Sequence, residues 1–170
     1  MMISGSANTA GPGVPSGLQP HITLRSCCKL ADEEIRSFQR AFSALDRYAS
    51  HFPLSPEAFC VVLFTDQREI RLTEDRDTLG QSFPLVVLWL GSIRSRSNYS
   101  PELLQLIMVE ELIHSLYQVQ NEYRVKEMTV EALSPYFQTL TLHDAYPLLF
   151  DSSDHRIPLP EYPAAWATRP

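Results

Sequence analysis

The segment Ser100 to Gln120, SPELLQLIMVEELIHSLYQVQ, contains no Lys or Arg. It reads as one helix with a marked start. Ser100 can cap the first free N–H groups, Pro101 suits the first helical position, and Glu102 meets the positive end of the helix dipole. Leu103, Leu104, Leu106, Ile107, Met108 and Val109 then cover every side of the first turns. A helix that is apolar all round is buried, so the rest of the domain has to wrap around it. Its second half nevertheless holds Glu110, Glu111 and His114, with Ser115 and Gln118 beside them. At 3.6 residues per turn, Glu110, His114 and Gln118 form one row, and Glu111 sits next to His114. Buried charge is costly unless it is paired or holds a metal. Arg124 and Lys126, just downstream, are the cations that could pair with Glu110.

The elements around this helix follow from periodicity. Residues 1–20 are mostly Gly, Ser, Pro, Ala and Asn, the composition of a flexible arm. His21 to Arg25 reads as a short strand. Asp32 is placed to cap a helix over Glu33 to Ser50, whose Ile35, Phe38, Phe42, Leu45 and Tyr48 step by three and four. Phe59 to Phe64 (FCVVLF) and Pro84 to Leu90 (PLVVLWL) are continuous apolar runs of strand length. Arg68 to Thr73 (REIRLT) alternates, and its position after a short turn predicts an antiparallel partner for the first run. Glu74 to Ser82 is expected to be a loop and Gly91 to Tyr99 a polar connection. A second helix is expected over Lys126 to Ser134, and one or two helical turns between Tyr136 and Leu149. Residues 151–170 carry four prolines and predict an extended tail. Together these give an α+β domain over residues 21–150. It has a small, mainly antiparallel sheet covered by helices, in the order helix, strand, strand, strand, helix, helix. Trp89 is expected in the core.

Composition narrows the function. The net charge is −6, and only Arg94 and Arg96 form a small basic spot, which argues against nucleic acid as a partner. No stretch is long and apolar enough to span a membrane. The first residues lack the basic and apolar regions of a signal peptide. Cys27, Cys28 and Cys60 make an odd count, which fits half-buried thiols in a reducing cytoplasm.

Glu110-Glu111-Leu112-Ile113-His114 resembles the His-Glu-x-x-His active-site helix of the zincin superfamily, with Glu110 at the first ligand position. The element order is also similar to that of a minimal zincin domain of the gluzincin type. The resemblance implies zinc held by Glu110, His114 and a Glu of the next helix, Glu127 or Glu131. It also implies Glu111 as the general base that takes a proton from a zinc-bound water. The altered first ligand favours a domain that binds a protein or peptide partner without standard peptidase catalysis. The alternative is a zinc-dependent peptidase with Glu110 replacing the first His.

Overall fold

A computed structural model describes residues 11–67, 84–137 and 140–146. Strand β1 spans Ile22–Ser26, helix α1 Asp32–His51, β2 Cys60–Thr65 and β3 Leu85–Trp89. Four helices follow: α2 at Leu90–Arg94, α3 at Pro101–Leu116, α4 at Glu122–Leu133 and α5 at Leu142–Ala145. The domain is therefore a mixture of helices with one small sheet.

The sheet is parallel, not antiparallel. β2 lies between β1 and β3, with Ile22 opposite Cys60 and Val62 opposite Val86. The cause is visible in the connectivity: β1 and β2 are joined through a 20-residue helix, a crossover that returns the chain to run in the same direction. Parallel strands are buried on both faces and read as unbroken apolar runs, which is the character of FCVVLF and PLVVLWL. The antiparallel expectation rested on Arg68 to Thr73. That stretch, the loop expected over Glu74 to Ser82 and the tail 151–170 lie outside the described residues.

One face of the sheet, bearing Ile22, Cys60, Val62, Phe64, Val86 and Leu88, joins the core. α1 lays Phe38 on Phe64, ring centroids 4.7 Å apart. α3 buries Leu104, Met108, Val109, Leu112, Ile113 and Leu116 almost completely. Each such side chain contributes roughly 1.5–3 kcal/mol relative to exposure, which is why this helix organises the domain. Ser100 caps it as expected, accepting from the Leu103 N–H at 3.1 Å.

Other expectations change in detail. Ala31, not Asp32, occupies the N-cap position of α1, and Asp32, Glu33 and Glu34 line its first turn. Glu34 is 1% exposed and meets Arg94 twice, at 2.7 Å from both Nε and Nη2. It also accepts from the Ala31 N–H and the Tyr99 hydroxyl. Burial alone would raise the Glu34 carboxyl, but the Arg94 pair outweighs it and holds the group below its ordinary value. Arg94 is thus committed to the buried Glu34 carboxylate and is not part of a free basic spot. It stands on α2, inside the stretch expected to be a connection. Trp89 is 37% exposed and lies outside the core. Leu18, in the stretch that composition assigned to the arm, is fully buried. Among the described residues no helix is long and apolar enough to cross a membrane.

Candidate functional site

α3 ends at Leu116, so Gln118 does not continue the row of Glu110 and His114. The chain reverses there instead, with Gln118 at φ 54°, a left-handed conformation uncommon outside glycine. The reversal returns the Val119 carbonyl to His114, 2.8 Å from Nδ1. A carbonyl only accepts, so Nδ1 carries the proton and donates. Nε2 is then left facing the Glu122 Oε1, 3.5 Å away.

Asn121 caps α4 by accepting from the Arg124 N–H at 3.0 Å. This cap starts the helix four residues before the expected Lys126 and places Glu122 in its first turn. Glu110, His114 and Glu122 each bring a ligand-capable atom within 4.8 Å of the others. Lys126 is held by the same carboxylates. Its Nζ donates to Glu110 Oε1 at 3.0 Å and to Glu122 Oε2 at 2.7 Å. The side chains of Lys126 and Glu110 are only 15% and 19% exposed, whereas that of Glu122 is 66% exposed. Burial lowers the Lys126 ammonium, but the two carboxylates more than reverse this, so it titrates above its ordinary value. Glu122 falls below its own, chiefly through its hydrogen bond from Lys126.

The residue after α5 closes the cluster. The Tyr146 hydroxyl donates to Glu110 Oε2 at 2.8 Å, and the ring stands 5.3 Å from the Lys126 ammonium, within cation–π range. Burial and then the Glu110 charge drive the Tyr146 phenol upward, so it stays a donor.

Of the residues singled out in the sequence, Glu110 and His114 come together. Glu111 stands beside them, exposed on the surface of α3. Desolvation, followed by the Glu110 and Glu122 charges, raises its carboxyl above the ordinary value, against the influence of His114. Glu127 and Glu131 do not join the group. Glu127 pairs with Arg124 at 3.3 Å on its own helix, and Glu131 accepts from Tyr48 of α1 at 3.2 Å. The third member of the group is Glu122, in a segment whose polar sequence reads as a connection. The signal for it was Asn121, a strong capping residue directly before it. Of the two cations that could pair with Glu110, Lys126 does so and Arg124 pairs with Glu127. Tyr146 had no local signal.

Set against protein-family models, curated proteins and solved structures, the chain matches none.

Proposed function

We propose that this domain acts by binding a protein partner, and that Glu110, Lys126, Glu122 and His114 form a structural charge cluster, not a standard hydrolytic centre. The observation that supports the charge-cluster part of this reading is Lys126. Its ammonium stands 3.0 Å and 2.7 Å from the two carboxylates that a metal would need. A cation already neutralises them, so a divalent ion entering the group would have to displace or deprotonate Lys126. Glu110 is further committed by the Tyr146 hydroxyl. On this reading the zincin likeness concerns the order of elements around α3 and α4, and the chemistry of the motif has been replaced by an ion pair. Three free thiols, two of them buried, fit a reducing cytoplasm.

A second reading, a zinc-dependent peptidase, is favoured by one feature. His114 has the arrangement of a metal-ligating imidazole: one nitrogen is fixed by a backbone carbonyl and the other faces the carboxylates. Glu110, His114 and Glu122 would then hold the ion, and Glu111 would accept the proton. Zinc would supply a bound water of lowered pKa.

Zinc content of protein purified without chelator, together with calorimetric zinc titration of the wild type and Glu110→His, separates the readings. The charge-cluster reading expects no stoichiometric zinc in the wild type. One equivalent of zinc, lost in His114→Ala, would overturn it in favour of the peptidase.

A further inference from the structure

The outward face of α1 carries a basic row on a chain of net charge −6. Arg36, Arg40, Arg47 and His51 fall within about 60° of one another on the helical wheel, opposite the stripe of Phe38, Phe42 and Leu45. All four are exposed. Among the described residues none of the three arginines makes an ion pair. Ser43 is the uncharged residue between them, Asp46 lies on the flank, against Gly17, and the exposed Glu33 stands one turn before Arg36 on the same face, so the row is basic from Arg36 onward. The row is about 22 Å long at 1.5 Å per residue. It ends at a pocket of about 210 Å³ lined by Arg47, Tyr48, His51, Phe52, Glu131, Ala132 and Pro135. Phe52 is 48% exposed there and packs on Tyr48 at 4.8 Å between centroids. The Glu131 carboxylate is engaged by the Tyr48 hydroxyl, and His51 Nδ1 by the Arg47 carbonyl.

We propose that this face of α1 docks an acidic amphipathic segment of a protein partner, with its carboxylates on Arg36, Arg40 and Arg47 and one apolar or aromatic side chain in the pocket beside Phe52. The inference rests on the protein-binding reading above and names the surface and the chemistry of the partner. Charge complementarity selects an acidic partner, and the apolar end selects a polypeptide. A nucleic acid or an anionic bilayer would meet the acidic remainder of the surface beyond so short a row and would leave the pocket unfilled. Arginine suits the task because its planar fork binds carboxylates bidentately.

The probe is a fluorescein-labelled helical peptide, about 18 residues long to span the row, built from Glu, Ala and Leu with one terminal Phe. Fluorescence anisotropy with the full chain is expected to show saturable binding that weakens as salt rises. The combined variant Arg36→Glu, Arg40→Glu and Arg47→Glu should lower affinity at least about tenfold with the melting temperature unchanged. Phe52→Ala should lower it as well. Arg96→Glu, an exposed cation outside the α1 row, should leave it unchanged. Absence of binding overturns the proposal. So does an equal loss with Arg96→Glu, and so does displacement of the peptide by duplex DNA or phosphatidylserine vesicles at lower concentration. Zinc content measured on the same samples reads the charge-cluster proposal independently, so either idea can fail alone.

Discussion

Lys126→Met removes one positive charge from between two carboxylates and keeps most of the side-chain volume. Exposed ion pairs contribute about 0–1 kcal/mol, whereas breaking a buried one costs roughly 3–5 kcal/mol because a charge is left without a partner. The pair here lies between these limits. Lys126 and Glu110 are 15% and 19% exposed, but Glu110 keeps its hydrogen bond from Tyr146, and Glu122, at 66% exposure, recovers water. The expected loss is about 2 kcal/mol, or roughly 4–8 °C in melting temperature for a domain of this size. Glu122→Gln should cost less than about 1 kcal/mol, since its carboxylate is mostly solvated. The double variant Glu110→Gln with Lys126→Met should be more stable than the sum of the single losses, because the orphaned carboxylate is gone with its partner. Thermal and urea melts of the wild type, the single variants Lys126→Met, Glu110→Gln and Glu122→Gln, and the double variant measure this. Equal, small shifts for Lys126→Met and Glu122→Gln, with an additive double variant, would refute the view that Lys126 holds α3 to α4.

The Glu34–Arg94 pair makes stability depend on acid. The folded carboxyl of Glu34 titrates below its ordinary 4.5, so its contribution is present above that value and is lost as pH falls through the depressed one. Melting temperatures between about pH 6 and pH 3 should drop more steeply for the wild type than for Glu34→Gln with Arg94→Met, and parallel curves would sink the assignment. Gly91→Ala should destabilise by about 1–3 kcal/mol in a urea melt, because an added Cβ would stand 2.8 Å from the Asp66 carbonyl oxygen, a backbone atom with little room to yield.

The start of α3 was legible because Ser100, Pro101 and Glu102 each have a local role at a helix N-terminus. Its end was not. Neither Gly nor Pro marks Tyr117 or Gln118, and the left-handed turn at Gln118 goes with the return of the Val119 carbonyl to His114. The start of α4 is readable at Asn121, the capping residue that sets Glu122 in the first turn. The alternation of REIRLT suits an antiparallel neighbour, but strand direction is carried by the unbroken apolar character of both buried runs, which a parallel sheet requires. Glu110 and His114 were found by spacing within one helix. Tyr146, 36 residues from Glu110, reaches its partner only through tertiary packing, which no local pattern encodes.

The placement of β2 has a consequence for how the sheet can open. Among the described strands, β1 and β3 never touch, and both ladders run through β2. β1 can detach by giving up one ladder and β3 by giving up the other, but β2 is freed only when both are lost. β2 amides that donate toward β1, such as Cys60 N–H to the His21 carbonyl, should therefore exchange when β1 opens, and those that donate toward β3, such as Val61 N–H to the Pro84 carbonyl, when β3 opens, so the two sets should show separate protection. Among the described strands, both ladders depend on six residues, Cys60–Thr65, five of which are buried.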